Sequence, residues 1–135
     1  MTPVDQTVVD SGFGNCHQAV MASLFDLDIT QVPNFILYPD TQWWTVYWYF
    51  IYGLGYEWVG TGYPGQHSLA DTETINGSIE AVVPSRTFPG KTHAVLIDSA
   101  GVVVHDPNPN KLWQGVNVLE SGDLKSWSII EKRNQ

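Results

Sequence analysis

The apolar residues that follow Asn15 occupy every face of a helix rather than a single stripe. A helix that is apolar all round lies at the centre of a fold, enclosed by the other elements. Asn15 is a suitable N-cap, and Gln18 three residues later completes a variant of the capping box. We therefore expect a central helix from Cys16 to about Leu27, with these apolar positions: Ala19, Val20, Met21, Ala22, Leu24, Phe25 and Leu27.

Aromatic residues dominate the next helix candidate, DTQWWTVYWYFIYGLG at residues 40–55. Asp40 or Thr41 can cap this helix, and Gly53 and Gly55 can end it. Aromatic and β-branched residues also suit a strand, so a strand is the alternative for this segment. As a helix, it is expected to pack four residues at helical spacing against the sheet: Trp44, Tyr47, Trp48 and Ile51.

The remaining pattern predicts a helical turn, strands and one long loop. DITQVP forms the turn, which Pro33 ends. YEWVG predicts a strand, and the Gly- and Thr-rich residues 60–77 predict a loop long enough to have a function. Four β runs follow: SIEAVVPS, THAVLID, GVVVHD and WSIIEK. Helices followed by an antiparallel sheet indicate the α+β class, and 135 residues suit a single domain, 1–135.

Charge and cysteine content narrow the class of protein. The formal net charge is −8, and no basic stripe suits a phosphate backbone, so we expect no nucleic-acid partner. One cysteine cannot form an internal disulfide, and no signal peptide is evident, which favours a cytoplasmic location in a bacterium or an infected host cell. The most apolar run, residues 43–54, has 12 residues, whereas a bilayer span needs about 20.

Cys16 stands where a helix begins, and this position suits a nucleophile. The N-terminus of a helix lowers the pKa of a thiol, and its unpaired backbone N–H groups can bind an oxyanion. The alternative is an inert buried cysteine, since free cysteines are among the most buried residues.

A nucleophilic thiol needs a base, and His93 is the best of four histidines. His93 begins the strand THAVLI and shares a face with Val95 and Ile97, so it needs polar partners. His17 is expected to point away from Cys16, and nothing is expected to hold His67 in its loop.

The hairpin THAVLIDSAGVVVHDPNPN predicts the partner of His93. A four-residue connection, 98–101, pairs Ile97 with Val102 and places Asp106 opposite His93, where the carboxylate can orient the imidazole. A two-residue loop places Asn108 there instead, and Asn can also orient an imidazole. We favour Asp106 because Pro107 and Pro109 indicate that pairing stops there. His105 is expected on the opposite face.

A metal centre is the third interpretation of these side chains. Cys16, His93, His105 and Asp106 are suitable ligand types. Their spacing matches no closed zinc pattern, so we expect neither a metal nor any other cofactor.

Three segments resemble the papain-like cysteine peptidase superfamily, and in pattern its bacteriocin-processing domains and short phage and bacterial members. They are DQT near the start, GNCHQAVMASLFDLDITQVPNF, and HAVLIDSAGVVVHDPNP, while residues 36–90 match nothing in the family. The resemblance implies a papain-like fold with Cys16 as nucleophile, His93 as base and Asp106 as its orienting residue. It also implies that Gln6 and the Cys16 backbone N–H bind the oxyanion.

These observations predict a cysteine-dependent hydrolase or acyl-transfer enzyme acting on an amide, isopeptide or thioester bond of a protein or peptide. Peptidase, isopeptidase, deamidase and acyltransferase share this apparatus. The aromatic residues 43–52 suggest an apolar groove or partner surface, and the loop 60–77 suggests a lid. The alternative is a phage-encoded binding protein, or an inhibitor of a host factor, that lacks turnover. A structural virion component is a third possibility.

Overall fold

The computed structural model describes residues 1–9, 14–39 and 42–133. The helices are α1 (Cys16–Leu24), α2 (Trp43–Gly53) and the short α3 (Val118–Ser121), with 3₁₀ turns at Ile29–Gln31 and Phe35–Leu37. The strands are β1 (Tyr56–Gly62), β2 (Ile79–Pro84), β3 (Thr92–Ile97), β4 (Val103–His105) and β5 (Ser126–Lys132). The α+β class is thereby confirmed. None of the helices in the described ranges is long and apolar enough to cross a bilayer.

The five strands form one antiparallel sheet in the order β1-β5-β2-β3-β4. The last strand of the chain thus lies between β1 and β2. Helix α1 packs on β2 and β3, and α2 packs on β1. One core lies between these helices and the sheet, and a second core around Trp113 and Trp127 covers the opposite face. The sheet is therefore buried on both sides.

Helix α1 is the buried central helix that the sequence predicts, although it ends at Leu24 and not at Leu27. Every residue from Ala19 to Leu24 is buried. The chain then leaves the helix at Asp26, which has a φ of 55°. This left-handed conformation cannot continue an α-helix.

Asn15 precedes the helix as predicted, but the capping box is wrong. Its Oδ1 accepts hydrogen bonds from the backbone N–H groups of Thr7 (3.0 Å) and Val8 (2.9 Å). Its Nδ2 donates to Oε1 of Gln18 at 3.0 Å, and neither side chain caps a helical N–H. Asn15 therefore fastens the N-terminal segment to α1 and does not cap the helix with its side chain.

The aromatic segment is a helix, with Tyr47 and Ile51 buried as predicted. The expected caps, Asp40 and Thr41, lie outside the described residues. Trp44 packs on the sheet as predicted, edge-on against Trp58 of β1 with ring centroids 4.6 Å apart. It nevertheless remains 37% exposed, and Trp48 is half-buried. Because β1 is the edge strand, this end of α2 has less sheet to cover it.

The loop after β1 is not a lid over the cleft that contains Cys16. Its middle lies on the opposite face of the sheet, where Leu69 joins the second core, and Ile75 near its end joins the first core beside α1. Thr72 Oγ1 accepts a hydrogen bond from the Trp127 indole at 3.0 Å. His67 is also held, contrary to expectation, because its Nδ1 accepts from the Tyr63 backbone N–H at 3.0 Å.

Candidate active site

Two adjoining cavities meet at the N-terminus of α1, and Cys16 and His93 line both of them. The larger cavity, about 470 Å³, has walls of mixed polarity, with Gln6 and Asn108 among its polar residues and Phe35 and Phe88 among its apolar ones. The smaller cavity, about 310 Å³, has aromatic walls that include Trp43, Trp44, Tyr47 and Trp58. The thiol and the imidazole are therefore accessible from a cleft with one half of mixed polarity and one aromatic half.

Cys16 is the first residue of α1, and its thiol lies beside the His93 ring and the Ala94 backbone N–H. Burial by itself raises the pKa of this thiol. The hydrogen bond and charge of His93, the Ala94 N–H and the charge of His17 together outweigh burial and lower the pKa. A thiol in these surroundings ionises more readily than an ordinary cysteine.

His93 begins β3 and joins the thiol to a carboxylate. Its Nε2 donates to Oδ1 of Asp106 at 2.7 Å, which leaves Nδ1 available for the thiol. Burial alone lowers the pKa of His93, but the hydrogen bonds to Asp106 and Cys16 raise it to about 9. A ring with this pKa is protonated at neutral pH and can form an ion pair with a Cys16 thiolate.

Asp106 is fully buried and accepts three hydrogen bonds. Oδ1 accepts from His93 and from the Asn108 backbone N–H at 3.0 Å, and Oδ2 accepts from the Trp113 backbone N–H at 3.0 Å. Burial raises the pKa of this carboxyl, but the His93 bond and the two backbone donors outweigh it and lower the pKa. The loop after β4 therefore holds an ionised carboxylate against the imidazole.

The predicted contact between His93 and Asp106 exists, but the predicted strand register is wrong. Ile97 pairs with Val103, and Leu96 pairs with His105 across an irregularity. Val102 pairs with Asn117 and not with Ile97. The connection, residues 98–102, is one residue longer than expected, and within it the Asp98 N–H donates to the Val102 carbonyl. Asp106 lies beyond the end of β4, so its carboxylate reaches His93 from the loop and not from a paired position.

The two other polar residues of the hairpin do not orient His93. The Asn108 side chain donates to Thr87 Oγ1 at 3.3 Å, so its contribution is the backbone bond to Asp106. His105 Nε2 contacts the Val4 carbonyl at 2.7 Å, away from the thiol. No three metal-ligand side chains converge within the described ranges.

Gln6 is buried on the wall of the larger cavity, in which Cys16 and His93 also lie. Its backbone N–H donates to the Pro107 carbonyl at 2.8 Å, and its Nε2 donates to the Val8 carbonyl at 2.8 Å. One N–H of the amide remains, and Oε1 has no partner among the described residues. The side chain is therefore fixed in place and retains a donor for a bound group.

A buried polar network beside Cys16 was not predicted from the sequence. His17 Nε2 lies 2.6 Å from Oε2 of Glu80, and the His17 ring lines both cavities. Oε1 of Glu80 accepts from the Tyr47 hydroxyl at 3.1 Å and the Ser128 hydroxyl at 2.7 Å. The signal in the sequence is Glu80 itself, a single charge within the apolar run SIEAVV.

Comparison with known proteins identifies no relative: no family model, no curated protein and no solved structure matches the chain. Any functional assignment therefore depends on the geometry of the cleft.

Proposed function

We propose that the chain is a cysteine-dependent hydrolase or acyl-transfer enzyme on a papain-like fold, acting on an amide, isopeptide or thioester bond. The observation that carries this proposal is the continuous chain from the Cys16 thiol through His93 to the buried Asp106, exposed to a cleft. A carboxylate that orients an imidazole beside a thiol is the arrangement by which a cysteine nucleophile is activated.

The reaction begins from the Cys16 thiolate and the His93 imidazolium. The sulfur attacks the carbonyl carbon of the substrate, and the carbonyl electron pair moves to oxygen. As the tetrahedral intermediate collapses, His93 gives its proton to the leaving amine or thiolate, and a thioester on Cys16 remains. Water or an acceptor amine then attacks the thioester and gives a proton to His93, which restores the ion pair.

The oxyanion in this scheme is bound by two N–H donors. The Cys16 backbone N–H lies in the first turn of α1, where backbone donors have no intrahelical acceptor. The remaining N–H of the Gln6 amide is the second donor, and the Val8 carbonyl holds that amide in position. Donors fixed before the reaction stabilise the developing charge without reorganising.

The cleft supports a protein or peptide substrate. Its two cavities lie on either side of the thiol and the imidazole, so an extended chain can place one group in each. The proposed location is a reducing compartment, the cytoplasm of a bacterium or of an infected host cell, because the thiol must remain reduced. No cofactor takes part in the proposed steps.

Exposed apolar side chains favour a second candidate function, a phage-encoded protein that binds and inhibits a host factor. Leu37 is 69% exposed and Tyr49 is 65% exposed, and Tyr52 is exposed on the same helix as Tyr49. Large apolar groups that remain in solvent are a common feature of interaction surfaces. This function needs no turnover at Cys16.

A substrate screen separates the two candidates. The protein is incubated with peptide, isopeptide and thioester libraries, and intact mass spectrometry detects a thioacyl adduct and released products. The enzyme proposal predicts an adduct on Cys16 and product release, both lost in Cys16→Ala. Absence of turnover and of any adduct across all three libraries favours the binding protein.

A further inference from the structure

His17 follows the proposed nucleophile directly and lines both cavities with it. Its Nε2 lies 2.6 Å from Oε2 of Glu80, and neither atom has another polar partner among the described residues. The Glu80 side chain is only 6% exposed. A charge at such a depth is costly unless a partner compensates it.

The partners of Glu80 favour an ionised carboxylate. The hydroxyls of Tyr47 and Ser128 both donate to its Oε1. The proton shared between Oε2 and the His17 ring can lie on either group, and two hydroxyl donors stabilise a carboxylate more than a neutral carboxyl. The compensating positive charge then lies on His17, because the Tyr47 hydroxyl is neutral.

Among the described residues, four ionisable groups lie around the His17 ring, and each comes from a different helix or strand. Cys16 precedes it on α1, Glu80 comes from β2, Tyr47 from α2, and His93 from β3 across the thiol. The Phe35 and Tyr47 rings pack against it, with centroids 4.7 and 5.0 Å away. The imidazole is thus fixed by packing as well as by charge.

We propose that His17, held as an imidazolium by Glu80, is a positioning residue that stabilises the Cys16 thiolate alongside His93. This inference rests on the proposed function, since it concerns the same nucleophile. Burial disfavours charge on His17, but Glu80 and Cys16 outweigh burial and raise its pKa. The thiolate therefore lies near two imidazolium rings, and His17 keeps its charge when His93 gives its proton to the leaving group.

The test is the pH profile of Cys16 alkylation by iodoacetamide in the full chain, with circular dichroism as a check on folding. His17→Gln is expected to raise the apparent thiol pKa by about one unit, so that alkylation below the midpoint slows about tenfold. The rate at high pH, where every thiol is ionised, is expected to change less than about twofold. Glu80→Gln should act in the same direction because His17 then loses its charge.

His67→Gln is the matched control, since His67 lies in the loop on the opposite face of the sheet. This variant is expected to keep the wild-type profile. If the folded His17→Gln variant shows the same apparent pKa of the Cys16 thiol as the wild-type protein, the inference is overturned. If that variant does not fold, an NMR titration of the His17 ring in the unmodified protein decides: a neutral ring at pH 7 overturns the inference.

A His93→Gln variant distinguishes this inference from the proposed function. If alkylation depends on His93 but not on His17, the inference is wrong and the proposed function is retained. If wild-type Cys16 titrates like an ordinary thiol, both are wrong.

Discussion

The Asp106→Asn substitution tests how strongly the Asp106 charge stabilises the protonated His93 ring, and it leaves the shape of the site nearly unchanged. The Asp106 carboxylate accepts from Nε2 of His93 at 2.7 Å and from two backbone N–H groups. Asn keeps one acceptor oxygen and replaces the other with an NH₂ group, so the negative charge disappears. We expect the pKa of His93 to fall because the largest stabilising contact of its charged form is weakened.

The size of the effect follows from the pKa of His93. Its increase from 6.5 to about 9 corresponds to a net preference of about 3 kcal/mol for the charged ring, which remains after Asp106 and Cys16 outweigh the effect of burial. A hydrogen bond to a charged group contributes about 1.5–3 kcal/mol, which is about 1–2 pKa units. The His93 midpoint in Asp106→Asn should therefore lie between about 7 and 8.

The assay is a ¹H–¹³C NMR titration of the imidazole rings from pH 5 to 10. The four histidines give few signals, and His93→Gln assigns the relevant one. Asp98→Asn is the matched control, because Asp98 accepts backbone hydrogen bonds in the turn of the same hairpin. If the His93 ring of the wild-type protein titrates near 6.5, or if its midpoint is unchanged in Asp106→Asn, the reasoning is refuted.

Three further substitutions test separate parts of the structure. Replacing Gln6 with Ala should slow acylation of the thiol by p-nitrophenyl acetate about 100-fold and leave iodoacetamide alkylation unchanged; equal slowing of both reactions contradicts an oxyanion role. Gly62→Ala places a Cβ 2.2 Å from the Trp127 ring, so urea unfolding should show a loss of about 1–3 kcal/mol. Gly60→Ala, whose Cβ meets nothing within 4 Å, is its control, and an equal loss there argues against the clash. Asn15→Ala should lower the free energy of unfolding in urea by about 1–3 kcal/mol, because two backbone N–H groups lose their acceptor; an unchanged value contradicts this account.

The elements of the fold could be predicted because each has a local signal. The all-round apolar pattern after Asn15 predicts a buried helix, and the β runs of the second half predict strands that the structure contains. The end of α1 could not be predicted in this way, since the turn at Asp26 is stabilised by distant partners. Its carboxylate accepts from the Thr2 backbone N–H and from the Asn76 side chain.

The contact of His93 with Asp106 was predicted through a register that the structure does not have. Proximity in a hairpin is a robust inference because both residues must lie near the open end of the two strands. Their exact pairing depends on the Asp98 turn and on an irregularity at Leu96 and Ile97, which the sequence does not specify. The loop donors at Asn108 and Trp113 then determine where the carboxylate lies.

The His17–Glu80 network could not be predicted because its members come from four separate elements. His17 lies on α1, Tyr47 on α2, Glu80 on β2 and Ser128 on β5. Only the order of strands, with β5 inserted beside β2, brings the Ser128 hydroxyl to the carboxylate. Glu80 within an apolar strand indicates a buried partner but does not identify one.

The most direct test of the central claim is the alkylation rate of Cys16 by iodoacetamide at pH 6, where under 1% of an ordinary thiol is ionised. We predict a rate at least about tenfold above that of an unstructured peptide thiol, lost in His93→Ala. Cys16→Ala, which has no thiol, gives the background. A wild-type rate equal to that of the peptide thiol, or the same rate in His93→Ala, would contradict an activated thiolate at this site.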